Sequence, residues 1–410
     1  MSNSDSDNFS NWSSNDSSET ANKELGNEFK GKIIENNENK YLIIYKLGFG
    51  SFSSVWLSYS LKHKYLVAIK IYHPRDYNDS NIEVSIYNKI YNSNIDKQYI
   101  LLPLDVFEIE PIINDINYIN NDGSINKHKI IILPLMATSS YDLLDYKENG
   151  LDSYIVYKII KQLFIGLMEF EKLKLCHTDL KPENILICGK TYIMDHIEKY
   201  INELNISYEI SNIELIEINN NILNEFELYK LNNDNYNQLM AHYFDNIEIK
   251  LCDFNLSIEY DENKMYNECQ TRYYRAPELI LGYNFNNKCD YWSIPCIIFE
   301  LLTGDILFYP EKTDNITTDI AHIYLIIELL GEIPNIMIKN SPKYNLLFNN
   351  GKLINIKKKI KSFKLNNVIK EYNLDDSNLY LHKLLELMNK MLIIDPKKRN
   401  SLDYYFNKYL

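Results

Sequence analysis

At 410 residues, with 45% hydrophobic and 13% aromatic content, the chain can bury one large two-lobed domain or two ordinary ones, which excludes a small disulfide-stapled module. Its formal charge of −13 disfavours nonspecific nucleic-acid binding and suits either a cationic partner or plain solubility. Six cysteines without a C-x-x-C pair, no apolar N-terminal segment and no run of about 18 uncharged apolar residues argue against a disulfide framework, a zinc site, a secretory signal and a membrane span, so a soluble protein of a reducing intracellular compartment is expected.

Residues 1–38 are rich in Ser, Asn and Asp and poor in aliphatics, a composition that buries too little apolar surface to offset chain entropy; they read as a disordered tail. From Tyr41 to Ile71 the runs YLIIYKL, SVWLSYS and YLVAIKIY, broken by Gly-rich and polar turns, predict an antiparallel hairpin sheet. A helix around Asn81–Tyr91 and a strand at Lys129–Leu135 follow. The next helix is long, with Ile155, Ile159, Leu163 and Leu167 on one face. Helices dominate from there, and Leu381, Leu384, Leu385 and Met388 repeat the helical spacing near the C-terminus. The expected class is α+β, with a small strand-rich lobe over 39–136 and a larger, mainly helical lobe over 137–410. Residues 189–247 interrupt the larger lobe with Asn-, Glu- and Ile-rich text and read as a partly ordered surface insertion, in which MDHIEKYINEL has an amphipathic helical pattern.

Several segments carry chemistry. After Leu47, the stretch Gly48-Phe49-Gly50-Ser51-Phe52-Ser53-Ser54-Val55 lies between two strands, where a loop without bulky side chains brings backbone N–H donors against phosphate oxygens; a plain hairpin turn would use the same residues. Val67-Ala68-Ile69-Lys70 offers a lysine for the α- and β-phosphates, against the plain reading of a surface lysine, and Glu83 on the following helix is spaced to pair with it. The loop His177-Thr178-Asp179-Leu180-Lys181-Pro182-Glu183-Asn184 gathers polar groups after the long helix. There Asp179 suits acceptance of a substrate hydroxyl proton, Lys181 steadies the phosphoryl group in transfer, Asn184 holds Mg²⁺, and His177 is scaffold. Asp253, ending the strand Ile249–Leu251, suits the Mg²⁺ that bridges nucleotide phosphates. Ala276-Pro277-Glu278 closes the segment begun at Asp253. Arg399 is a bidentate partner for Glu278, and Asp290 and Trp292 are expected in a helix beneath the loop of Asp179.

Together GFGSFSSV, VAIK, HTDLKPEN, DFN and APE resemble the protein kinases over roughly Tyr41–Leu410. LGFGSFSSVWLS, CHTDLKPENIL, QTRYYRAPELILG, FELLTGDILFYP and IAHIYLIIELLG are similar to the SR-protein kinases, which modify serines in Arg/Ser-rich proteins, and residues 189–247 fall where that subfamily carries a spacer. The resemblance implies a bilobal protein kinase fold, ATP and Mg²⁺ as cofactors, phosphoryl transfer to protein Ser/Thr hydroxyls, and Arg/Ser-rich protein partners. A cytoplasmic monomer is expected, host-cytoplasmic if viral, with nuclear shuttling left open and without direct nucleic-acid or membrane partners. The Asn, Ile, Tyr and Lys bias suits an AT-rich microbe or a large DNA virus. Lys181 together with Thr271 points to a Ser/Thr enzyme rather than a tyrosine kinase.

Departures from the family pattern are specific. Ser53 and Asn255 stand where glycines are usual, and Asn is the residue that best tolerates positive φ after glycine. Thr178 replaces the arginine that reads a phosphorylated activation loop, which predicts activity without that modification. The hinge Pro134-Leu135-Met136 lacks the usual acidic residue, leaving Met136 as the adenine contact. Asp314, Asp319 and Glu328 suit an acidic docking groove or an ordinary solvated helix face. The competing readings are a kinase-fold scaffold that has lost turnover, motivated by Asn255 and Ser53, and a kinase of a cyclin-dependent-like or dual-specificity subfamily.

Overall fold

In chain order the described strands are β1 Ile33–Glu35, β2 Lys40–Phe49, β3 Ser53–Ser60, β4 Tyr65–Tyr72, β5 Asp105–Ile109, β6 His128–Pro134, β7 Thr138–Ser139, β8 Leu175–Cys176, β9 Ile185–Ile187, β10 Ile249–Leu251, β11 Ile258–Glu259, β12 Phe348–Asn349 and β13 Lys352–Leu353. The helices are α1 Tyr77–Tyr91, α2 Ser153–Lys172, α3 Tyr192–Glu203, α4 Asn212–Asn232, α5 Pro277–Ile280, α6 Lys288–Thr303, α7 Thr318–Leu330, α8 Asn335–Lys339, α9 Tyr344–Leu347, α10 Leu365–Lys370, α11 Leu379–Met391 and α12 Leu402–Tyr409. This computed structural model describes residues 29–50, 52–111, 126–146, 150–232, 246–261, 269–356, 359–375 and 377–410. Two units result: Met1–Tyr77 with Pro103–Leu135 and Tyr192–Asn233, and Asn78–Leu102 with Met136–Thr191 and Asp234–Leu410.

Among the described residues the first unit carries an antiparallel sheet in the order β1-β2-β3-β4-β6-β5. Because side chains alternate along a strand, β2 and β3 feed two cores. Leu42, Ile44, Leu57 and Tyr59 enter one; Tyr41, Ile43 and Trp56 enter the other with Val67, Ile69, Ile71, Ile130 and Ile132. Both faces are covered, which is why YLII reads as an unbroken apolar run instead of alternating.

The cover on the first core comes from the insertion. Ile193, Met194, Ile197 and Ile201 of α3, with Leu215, Ile222 and Phe226 of α4, pack onto Leu42, Ile44, Leu57, Tyr59 and Leu66. Polar ties pin the contact: Leu66 N donates to Glu198 Oε2 at 2.7 Å, Lys64 Nζ to Ile206 O at 2.6 Å, and Tyr59 OH to Asn202 Oδ1 at 2.6 Å. Residues 192–232 are therefore part of a core, where a surface insertion was expected. The buried stripe of α4 runs Leu215, Asn219, Ile222, Phe226, and the polar Asn219 at its centre, whose Nδ2 donates to Ile43 O at 3.2 Å, hides the period. Residues 233–245 of the insertion lie outside the described residues.

The tail expected over 1–38 also divides. Residues 1–28 lie outside the described residues, whereas Phe29 and Ile34 are buried and Ile33–Glu35 pairs with β2. A few large apolar groups sufficed, where composition averaged them away.

In the second unit, α2 starts at Asp152, whose side chain accepts from Tyr154 N at 2.8 Å, and buries Ile155, Ile159, Leu163 and Leu167 along the predicted stripe. α6 is buried at every position from Cys289 to Thr303 and stops at Gly304, whose φ of 81° is the left-handed cap that glycine supplies without strain. α11 packs on α6 and α2. Its buried face is Leu381, Leu384, Leu387, Met388 and Met391; the expected Leu385 is only half-buried. Short antiparallel pairs β7-β9-β10 and β8-β11 frame the polar loop at His177–Asn184.

Candidate active site

The loop after β8 is held from below by Asp290, near the start of α6. Its Oδ2 accepts from His177 N at 2.7 Å and its Oδ1 from Thr178 N at 2.9 Å. Burial raises the Asp290 carboxyl pKa, while the His177 ring and the two backbone N–H groups pull the other way. Thr178 takes a φ of 64°, unusual for a β-branched residue, and its Oγ1 donates to Leu256 O at 2.5 Å. The His177 ring bonds Cys252 O at 3.0 Å and accepts from Asp179 N at 3.2 Å. These bonds leave the Asp179 side chain free to serve the far side of the loop.

Asp179 is 5% exposed and its two oxygens do different work. Oδ1 accepts from Thr271 Oγ1 at 2.7 Å and Thr271 N at 3.2 Å; Oδ2 lies 3.0 Å from Lys181 Nζ and accepts from Asn184 Nδ2 at 3.2 Å. Burial disfavours the Lys181 cation, but the Asp179 carboxylate outweighs it and the lysine pKa rises. Asn184 Nδ2 also donates to Asp179 O at 2.8 Å, so the amide nitrogen is committed and the amide oxygen is the group it can offer a cation. Asp253 supplies a carboxylate from a backbone at φ 65°, a second left-handed non-glycine residue in the site. Carboxylate and amide oxygens are the hard donors that magnesium takes, and this pair fits it.

Phe254 is fully buried between the rings of Phe170, His177 and Tyr87, at centroid distances of 5.2, 5.6 and 5.4 Å. Its N–H donates to Glu83 Oε1 at 3.2 Å, and Tyr87 OH donates to the same oxygen at 3.1 Å. Glu83, on α1, thus ties the helix to the residue following Asp253, a link invisible to spacing. Asn255 is not at positive φ, so the chain does not need a glycine there for backbone freedom.

The other residues expected from the sequence to meet a nucleotide lie in the first unit, apart from Met136, which is half-buried at the start of a segment of the second. Gly48 pairs with Val55 and Val55 with Lys70, a single cross-strand row, and Lys70 is 6% exposed with Nζ 5.1 Å from the Tyr72 ring centre. A Cβ on Gly48 or Gly50 would meet nothing within 4 Å, and neither has positive φ. Among the described residues the fold itself therefore does not demand glycine at either position. Leu47 and Phe49 are exposed, Phe52 is half-buried, and Ser53 and Ser54 are buried, with Ser54 Oγ accepting from Trp56 Nε1 at 2.9 Å. Ser51 lies outside the described residues.

The segment from Cys269 to Ile280 is anchored by Gln270, which carried no role in the sequence reading. Its Nε2 donates to Cys289 O and Ser293 Oγ, each at 3.0 Å, and its Oε1 accepts from Ala276 N at 2.9 Å. Tyr274 OH donates to buried Glu300 at 2.6 Å. Arg399 forms a fork onto Glu278, Nη1 to Oε1 at 2.7 Å and Nη2 to Oε2 at 2.8 Å, over the face of Trp292. Asp319 is not available for docking. Arg272 Nη1 reaches it at 2.5 Å and Lys343 Nζ at 3.4 Å, and these cations more than offset burial to hold its carboxyl below the usual value. Asp314 is exposed and Glu328 half-buried.

The sequence that builds this arrangement, a carboxylate between a lysine and a threonine beside two oxygen donors, is similar to that of known proteins. The protein kinase domain family matches residues 41–196 and 233–409. The chain belongs to the protein kinase family. The stretch left unmatched between the two segments, 197–232, is most of the α3–α4 insertion. As a kinase with the bilobal fold, it is similar to the serine/threonine-protein kinase SRPK of Physarum polycephalum, at 28% identity over 90% of this chain and 85% of that protein. A putative serine/threonine-protein kinase of Acanthamoeba polyphaga mimivirus is 26% identical over 95% and 91%, and the protein kinase dsk1 of Schizosaccharomyces pombe 27% over 93% and 81%. The chain is thus an SR-protein-kinase-like serine/threonine kinase.

Proposed function

We propose that this kinase transfers the γ-phosphoryl group of ATP to serine or threonine in basic, Arg/Ser-rich proteins. The observation that carries the reading is the Asp179 carboxylate held by Thr271, Lys181 and Asn184. A hydroxyl brought to that carboxylate meets a base fixed at both oxygens and a neighbouring cation able to follow the phosphoryl charge. Asp253 and Asn184 would hold magnesium, which when bound neutralises phosphate charge. Lys70 is the residue suited to the α- and β-phosphates.

Preference for basic substrates is supported by acidic groups beside the loop. The Tyr141 hydroxyl pKa is raised by burial and then by nearby carboxyls, of which Glu183, Asp145 and Asp142 are exposed. A run of arginines is the partner such a field attracts. No helix among the described residues is long and apolar enough to cross a membrane.

The test is phosphorylation of an Arg/Ser peptide, a proline-directed peptide and an acidic peptide by the full chain with Mg²⁺ and ATP, with Asp179→Asn as control. Asp179→Asn is expected to lose on the order of 100- to 10,000-fold. Incorporation no higher than in that variant overturns the transferase reading; equal rates on the three peptides overturn the substrate class alone.

A further inference from the structure

Asn255 presents a problem that the transfer chemistry above does not solve. Its side-chain Oδ1 is buried and has no hydrogen-bond partner among the described residues. A buried acceptor without a donor costs about 1–3 kcal/mol, and groups of this kind in native proteins trace to strain, a water, an ion or a catalytic role. Backbone need does not account for the residue, because Asn255 is not at positive φ and any small residue would fit the conformation.

The turn that carries it is fixed on every side. Phe254 N is held by Glu83, Ser257 N donates to Phe254 O at 3.0 Å, Ser257 Oγ to His177 O at 3.1 Å, and Leu256 O accepts from Thr178 Oγ1. The side chain therefore stands on a rigid base two residues after Asp253. No described residue supplies the donor. A hydrated magnesium ion would, because it sheds its water reluctantly and usually keeps several molecules whose polarised O–H groups are strong donors.

We propose that the Asn255 carboxamide oxygen is an outer acceptor of the magnesium site, taking a hydrogen bond from the ion's hydration water and so tightening the hold of Asp253 and Asn184 on it. The proposal rests on the metal assignment made above. It turns a departure from the family pattern into a positioning residue. It also explains the orphaned oxygen as a cost carried by the metal-free state and recovered on loading.

The experiment uses the full chain with Mn²⁺ as a paramagnetic stand-in and a non-hydrolysable ATP analogue, reading free Mn²⁺ by electron paramagnetic resonance and melting temperature by calorimetry. Asn255→Gly and Asn255→Ala are expected to bind Mn²⁺ with nucleotide about 10-fold more weakly, the usual effect of losing an outer-sphere partner. Without metal both are expected to melt at or above the wild-type temperature, since the unsatisfied acceptor is gone. Asn255→Asp, which keeps an acceptor and adds charge, is expected to bind at least as tightly as wild type. Unchanged Mn²⁺ affinity in the Gly and Ala variants overturns the inference, and so does a fall in their metal-free melting temperature with affinity intact, the signature of an oxygen satisfied by a structural water. A wild-type chain that holds no Mn²⁺ with nucleotide overturns the metal-site assignment itself, and this inference with it.

Discussion

Removing the Arg399 guanidinium should cost the second unit a large part of its stability. Arg399 and Glu278 are each 2% exposed, and the guanidinium gives both Nη groups to the carboxylate while Nε donates to Ile393 O at 2.8 Å and Nη1 to Lys288 O at 2.7 Å. Arg399→Ala strands a carboxylate and two carbonyls away from water. Breaking a buried pair from one side costs about 3–5 kcal/mol, set against about 5–15 kcal/mol for a whole domain. Much of that cost is the orphaned charge, so Glu278→Gln placed on top of Arg399→Ala should return roughly half of it. Arg399→Lys, which keeps the charge without the fork, should fall between. Hydrogen exchange on peptides from α6 reads the local opening free energy directly, since Arg399 lies 5.3 Å from the Trp292 ring centre on that helix. A loss below about 1 kcal/mol in Arg399→Ala, the value of an exposed pair, or no recovery in the double variant, would refute the argument.

Burial holds the Glu300 carboxyl pKa at about 7 against an ordinary value of 4.5. The fold thus favours the protonated form, and the stability this contributes is complete below about pH 4.5 and lost as pH rises through about 7. Glu300→Gln keeps an oxygen for Tyr274 and should gain on wild type by roughly 2–3 kcal/mol between about pH 5 and about pH 8; denaturant titrations that run parallel across that range would contradict this. Ile197→Ala, at a fully buried position of α3, should destabilise the first unit by about 2–5 kcal/mol and speed exchange in β2 and β3 peptides. If exchange changed only within α3 and α4, the insertion would not be part of that core. Because Thr178 bonds Leu256 O where a phosphate-reading arginine is usual, phosphatase treatment should leave turnover on an Arg/Ser peptide essentially unchanged; a loss of most activity would defeat that prediction.

Much of this protein was written locally. The runs SVWLSYS and YLVAIKIY between turn residues, the four-residue stripe from Ile155 to Leu167, and the clustering of Asp179, Lys181 and Asn184 on one loop depend on strand-forming residue types, a helical period of 3.6 and short chain separations, which a reader of the letters can apply directly. The Arg399–Glu278 pairing was proposed on chemistry across more than a hundred residues, and its geometry is that of a guanidinium fork.

What only the tertiary structure decided involves partners with no sequence period to announce them. Gln270 acquires its role because Cys289, Ser293 and Ala276 converge on one amide, and Asp319 loses its docking role because Arg272 and Lys343 reach it first. The insertion is the fullest case: the Ile-rich face of α3 looks like surface until the strands carrying Leu42 and Leu57 are brought beside it, because burial is a property of what lies across the interface and not of the segment itself.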